Sequence, residues 1–195
     1  MTSFEFATAN RIIFGAGKLS GLGDQLKGSV KRLLWVRGRS SDAIPRVREI
    51  LSAQGIPFNE FEVHGEPTVD VVRAGVTFAE GCDAAIGLGG GSVMDAGKAI
   101  AALATNRNDV FDYLEVVGKG QALTEKPLTY IAIPTTAGTG TEVTRNAVLD
   151  VPEHGVKVSL RSPMMLPSLA IVDPELTYSM PREITAASGL DALTQ

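Results

Sequence analysis

Residues 82–104 constrain the fold more than any other stretch of the chain. An apolar run, Cys82-Asp-Ala-Ala-Ile-Gly-Leu88, leads into Gly89-Gly90-Gly91 and then into an apolar-rich segment with the composition of a helix. A run of four to eight apolar residues before a glycine cluster reads as a strand covered on both faces. Glycines let a backbone approach a ligand without a Cβ in the way. The helix that follows offers free N–H groups and the positive end of its dipole. Strand, glycine turn and helix together describe an anion-binding corner of an α/β sheet.

The surrounding pattern agrees. Strands are expected over residues 32–36, 57–63, 82–88, 128–133 and 169–172, with helices over 42–54, 69–80 and 92–104. Alternation at this spacing predicts βαβ units and a doubly wound, mostly parallel sheet. Residues 147–151 and 156–160 read as a hairpin around Pro152-Glu153-His154-Gly155. A last helix is expected near Pro181, and Ile184, Ala187, Leu190, Ala192 and Leu193 recur on it with helical spacing. No stop signal follows, so the chain reads as a truncated one, with a dinucleotide-binding domain over 1–180 and the first helix of a second domain over 181–195. Such a half is expected to expose apolar surface and to self-associate.

Composition excludes some functions. A formal net charge of -4 argues against nucleic-acid binding, which wants a basic face. No segment holds the roughly 18 consecutive apolar residues of a membrane span, and the N-terminus does not read as a signal or transit peptide. A lone cysteine, Cys82, forms no internal disulfide. These features set a soluble cytoplasmic protein without membrane or nucleic-acid partners as the expectation.

The glycine loop is neither a Walker sequence nor Gly-x-Gly-x-x-Gly, and Lys98 lies too far into the helix for a P-loop lysine. Gly15 and Gly17 superficially resemble the second fingerprint, but their third glycine is misplaced, so a tight turn is expected there. Ser92 and Asp95 carry two readings, a capping box and a phosphate corner. A second loop, Pro134-Thr-Thr-Ala-Gly-Thr-Gly-Thr-Glu-Val-Thr144, brings hydroxyls and backbone N–H groups that suit phosphates or a carboxamide without adding charge. Turns stabilised by these hydroxyls are the plainer explanation of that loop alone.

Taken together, Gly-Gly-Gly-Ser-x-Met-Asp-x-x-Lys, Pro-Thr-Thr-Ala-Gly-Thr-Gly-x-Glu-Val-Thr, Asp173-Pro and Gly189-Leu-Asp-Ala-Leu-Thr194 resemble the iron-containing alcohol dehydrogenase family along the whole chain. The resemblance implies a Rossmann-like, dehydroquinate synthase-like sheet and a homo-oligomeric oxidoreductase acting on a small alcohol or aldehyde. It implies dinucleotide contacts at Gly90, Gly91, Ser92, Asp95, Thr135, Thr136, Thr139, Asn146 and Lys157. It also implies a divalent metal, iron or zinc, on one aspartate and three histidines. Asp191 matches the aspartate, but Gln195 stands where the first histidine belongs. Glutamine is a poor substitute for imidazole. His64 and His154 match no ligand position and are expected at the surface. No residue is assigned to catalysis. Glu66-Pro67-Thr68 replaces the family's Asn-Pro-Thr near the adenine.

Cofactor preference is read from the end of the strand over 32–36. An acidic residue there would favour NAD and repel a 2′-phosphate. The chain has Gly38-Arg39-Ser40 instead, so NADP(H) is expected over NAD(H). Two alternatives remain: a non-catalytic nucleotide-binding fragment, and a relative such as the metal-free maleylacetate reductases or the glycerol dehydrogenases.

Overall fold

The computed structural model describes residues 3–39 and 41–194. Ser40 and Gln195 therefore lie outside the described residues. Six strands form one all-parallel sheet in the order β1-β8-β5-β4-β2-β3: β1 (Ile12–Phe14), β2 (Leu33–Arg37), β3 (Phe58–Glu62), β4 (Ala84–Gly89), β5 (Thr129–Pro134) and β8 (Leu169–Val172). The remaining two, β6 (Asn146–Val151) and β7 (Val156–Arg161), make the expected antiparallel hairpin. The helices are α1 (Leu22–Leu26), α2 (Ala43–Ala53), α3 (Val69–Phe78), α4 (Gly91–Leu103), α5 (Val110–Tyr113) and α6 (Arg182–Thr194). No described helix is long and apolar enough to cross a membrane.

Side chains alternate across a strand, so each strand feeds two cores. Leu34, Val36, Ala85 and Ala132 face α3, α4 and the hairpin. Leu33, Trp35, Ile86, Leu88, Ile133 and Ile171 face α1 and α2. All six residues of β4 are buried, as its unbroken apolar run requires. After β2 and β3 the chain steps back across β2 to lay down β4 and then β5. The order therefore reverses between β2 and β4, and the crevice beyond their carboxyl ends is where such sheets bind ligands.

Two elements differ from expectation. β1 is a three-residue edge strand on β8, too short to carry a periodic signal. The capping box does not form. Helix α4 starts at Gly91 with Gly90 as its N-cap and no side chain capping it, so Ser92 falls inside the first turn. Gly15 and Gly17 form the turn after β1, with φ of 145° and 72°. Buried Asp173 secures that turn by accepting the N–H groups of Gly17 (3.1 Å) and Leu19 (2.9 Å).

Candidate functional site

The parallel strands deliver their carboxyl ends to one edge of the sheet, and backbone bonds tie those ends together. The Gly38 N–H donates to the Leu88 carbonyl (3.2 Å), and the Thr135 N–H donates to the Gly89 carbonyl (2.9 Å). The exits of β2, β4 and β5 thus share one rim.

The glycines of that rim have separate tasks. A Cβ on Gly89 would sit 2.7 Å from Val93, so this glycine lets α4 close onto its own strand. A Cβ on Gly90 would lie 3.3 Å from the Thr136 hydroxyl oxygen. One on Gly91 would lie 3.0 Å from Cγ2 of Thr139. The glycine and threonine loops are therefore in direct apposition. Gly38 completes the corner, since its Cβ would reach Val93 at 3.5 Å. The first-turn N–H groups of α4 have no side-chain cap, and such groups lack intrahelical acceptors. An oxyanion approaching over Gly90 and Gly91 would meet them and the positive end of a 13-residue helix. A cleft of about 350 Å³ opens beside this rim, lined by Phe14, Thr136, Gly138, Glu142, Asp173 and Ala192 among others.

Contacts thus bring Gly38, Gly90, Gly91, Thr136 and Thr139 together, with Ser92 and Thr135 beside them. Other expected residues are placed differently. Asp95 points inward, with only 13% of its side chain exposed. It lies 3.6 Å from the Lys98 ammonium and also meets the Val148 backbone amide. Burial outweighs the lysine and pushes this carboxyl up to about 6, while burial pulls Lys98 down to about 8. Asn146 opens β6 and lines a separate recess of about 450 Å³ with Glu5, Phe6, Thr144, Arg145 and Arg161. Lys157, on β7, forms an ion pair with Glu66 (3.2 Å), the residue that replaces the family's asparagine. Arg39 is exposed just past the end of β2.

The end of β2 holds something that no reading of β2 alone reveals. Arg37 pairs with Glu60 and with Glu62 (2.7 Å), both on the neighbouring strand β3. Glu62 stands level with Arg37 in the register and also meets His64 (3.1 Å). A carboxylate is therefore close to Gly38 after all, but two cationic or ionisable partners hold it.

The sequence reading also missed Lys98, which is fully buried and bonded to the threonine loop. Its signal was available: a lysine inside the apolar run of α4 must find acceptors, because an unpaired buried ammonium is too costly.

The family model for iron-containing alcohol dehydrogenase matches residues 9–174. The chain belongs to the iron-containing alcohol dehydrogenase family. It is 40% identical over 149 residues to the 4-hydroxybutyrate dehydrogenase of Cupriavidus necator, a match covering 75% of this chain and 39% of that protein. A 1,3-propanediol oxidoreductase crystal structure superposes with a TM-score of 0.90 at 34% identity, covering 99% of this chain and 51% of that one. The sulfoacetaldehyde reductase of Bifidobacterium kashiwanohense, solved in complex with NAD+, gives 0.87 at 32%, covering 98% and 51%. The chain spans about half the length of the relatives it matches.

The family is iron-containing, and the described residues do not by themselves assemble a metal site. Among the described residues no group of three or more His, Cys, Asp and Glu could hold a metal ion. Asp191 stands on α6, whereas His64 meets Glu62 and His154 lies against Phe111. A cavity of about 1050 Å³ lies away from the rim. It opens at the amino ends of β4 and β5, lined by Arg73, Cys82, Arg107, Asp109, Glu125 and Lys126 among others, with charges of both signs.

Proposed function

We propose that this chain is the dinucleotide-binding part of an NADP(H)-dependent oxidoreductase that interconverts a small alcohol with its aldehyde or ketone. In that reaction the carbinol carbon gives a hydride to the nicotinamide and the hydroxyl gives up a proton. The observation that carries the reading is the apposition of Gly90 and Gly91 with Thr136 and Thr139 at the reversal point of the sheet. The pyrophosphate would lie on the first turn of α4, and the threonine hydroxyls would hold the nicotinamide side. This reading takes 1–180 as the dinucleotide-binding domain and 181–195 as the start of a helical one. Asp191 stands as one metal ligand, and no step of this proposal is routed through the metal.

NADP(H) is favoured by Gly38 and Arg39 at the end of β2, together with the engagement of Glu62 by Arg37 and His64. A guanidinium can grip a 2′-phosphate with paired hydrogen bonds. One observation favours NAD(H) instead: the similar sulfoacetaldehyde reductase was solved with NAD+. Fluorescence titration with NADPH and with NADH separates the two. NADPH is expected to bind at least tenfold tighter, and Arg39→Ala is expected to remove most of that margin. Tighter NADH binding would overturn the preference. Absence of saturable binding to either would overturn the nucleotide reading.

A further inference from the structure

We propose that Lys98 is a positioning residue that ties the threonine loop to helix α4 and so sets the gap in which the dinucleotide lies. The inference rests on the nucleotide reading above and extends it to a residue outside the rim. The Lys98 side chain is fully buried. Its ammonium donates to the Thr141 carbonyl (2.9 Å), the Thr144 carbonyl (3.3 Å) and the Thr144 hydroxyl (2.9 Å). Asp95 adds its carboxylate at 3.6 Å from the same helix. An ammonium has three protons, and the Thr141 carbonyl with the Thr144 carbonyl and hydroxyl offers three acceptor oxygens to match them.

The bonds close a ring. Helix α4 carries Gly91 at its first turn and Lys98 two turns further on. Lys98 holds the single helical turn Thr141–Val143. The Thr141 N–H reaches back to the Thr139 hydroxyl at 3.4 Å. Thr139 in turn stands against Gly91. The distance between Thr139 and Gly91 is therefore set by a strut whose bonds span 43 and 46 positions of sequence. A lysine serves better than an apolar residue here because it fixes a direction as well as a volume.

Three variants test the strut. Lys98→Met keeps the volume and removes all three hydrogen bonds. Thr144→Val removes one acceptor and leaves the lysine, and Thr144→Ser restores it. Each chain is titrated with NADPH and, separately, with adenosine 2′,5′-bisphosphate, which on that reading would reach only the end of β2 and the first turn of α4. Amide hydrogen exchange across 139–144 is followed in parallel. Lys98→Met is expected to weaken NADPH at least tenfold while the bisphosphate stays within twofold. Thr144→Val should weaken NADPH by a smaller factor, and Thr144→Ser should recover it. Exchange across 139–144 should quicken in the first two variants, while Thr135, bonded to Gly89, stays protected. Equal loss of both nucleotides would overturn the proposal, since that is what general damage to the fold produces. So would unchanged NADPH affinity, or unchanged exchange in both Lys98→Met and Thr144→Val. Failure of the wild-type chain to bind NADPH, NADH and the bisphosphate alike would instead overturn the nucleotide reading, and this inference with it.

Discussion

Helices α4 and α6 are each 13 residues long, and the protein treats them in opposite ways. Ten residues of α4 are buried, among them a lysine. No described residue of α6 is buried, and Leu190 and Leu193 are 63% and 80% exposed. Short helices gain little from propensity alone and depend on packing. Helix α4 is therefore locked between β4, α3 and the hairpin, and the glycine rim is built on its end. Helix α6 carries Asp191 on an element with little to hold it. The difference teaches that the rim proposed to bind the dinucleotide is built on the core, whereas the helix that carries Asp191 has no buried residue among those described.

The sharpest way to break that contrast is to delete the same volume from each helix. Ile100 is fully buried on α4. Ile100→Ala is expected to cost about 3 kcal/mol from lost burial and the cavity left behind. Leu193→Ala removes a similar volume from α6 and is expected to change stability by less than about 0.5 kcal/mol. Urea denaturation of the two variants measures both. Comparable losses would show that α6 is as firmly held as α4.

The contrast was partly legible before any coordinates. The unbroken apolar runs of β4 and β5 announce strands buried on both faces, and the glycines between β4 and α4 announce a ligand corner. What escaped depends on residues far apart in sequence. The spacing of Ser92 and Asp95 fits a capping box, but Lys98 and the Val148 amide draw Asp95 inward instead. Thr144 claims Lys98 from 46 positions away, and Glu66 claims Lys157 from across the hairpin. Glu62 reaches the end of β2 only because β3 lies alongside it in register. Pairing of this kind is decided by topology, which local patterns do not carry.

Burial of α4 has a titration signature of intermediate size. Asp95 titrates near 3.8 in the unfolded chain and is raised to about 6 in the folded one, mainly by burial. Between those values the folded protein keeps a proton that the unfolded chain has lost, so this group's contribution to stability falls as pH rises from 4 to 6. Lys98 is lowered from 10.5 to about 8, also mainly by burial, so its contribution rises with pH between 8 and 10.5. Asp95→Asn removes the acid-side effect. Measured at pH 4 and again at pH 7, its stability relative to wild type is expected to improve by about 2 kcal/mol. A difference that stays flat, or moves the other way, would mean that the ion pair with Lys98 outweighs the cost of burial. No helix as open as α6 could generate such a shift.

The smallest effect probes where the two helices communicate. Gly138 of the threonine loop has a φ of 142°, and a Cβ there would stand 2.5 Å from the Ser188 carbonyl oxygen of α6. Gly140, two residues on, has a φ of 61° and would meet only Val143 at 3.9 Å. Alanine at Gly140, in the left-handed region, strains the loop by about 1 kcal/mol, and at Gly138, whose φ of 142° essentially only glycine adopts, by more. Only Gly138→Ala also drives the loop against the backbone of another helix. Since α4 is fixed and α6 is not, α6 is the element that gives way. Amide exchange across 182–194 should therefore quicken in Gly138→Ala and stay unchanged in Gly140→Ala, with α4 protected in both. Equal acceleration in the two variants would show that loop strain, and not the Ser188 contact, governs α6. If only Gly138→Ala loosens α6, the loop proposed to hold the nicotinamide side also sets the position of the helix that carries Asp191.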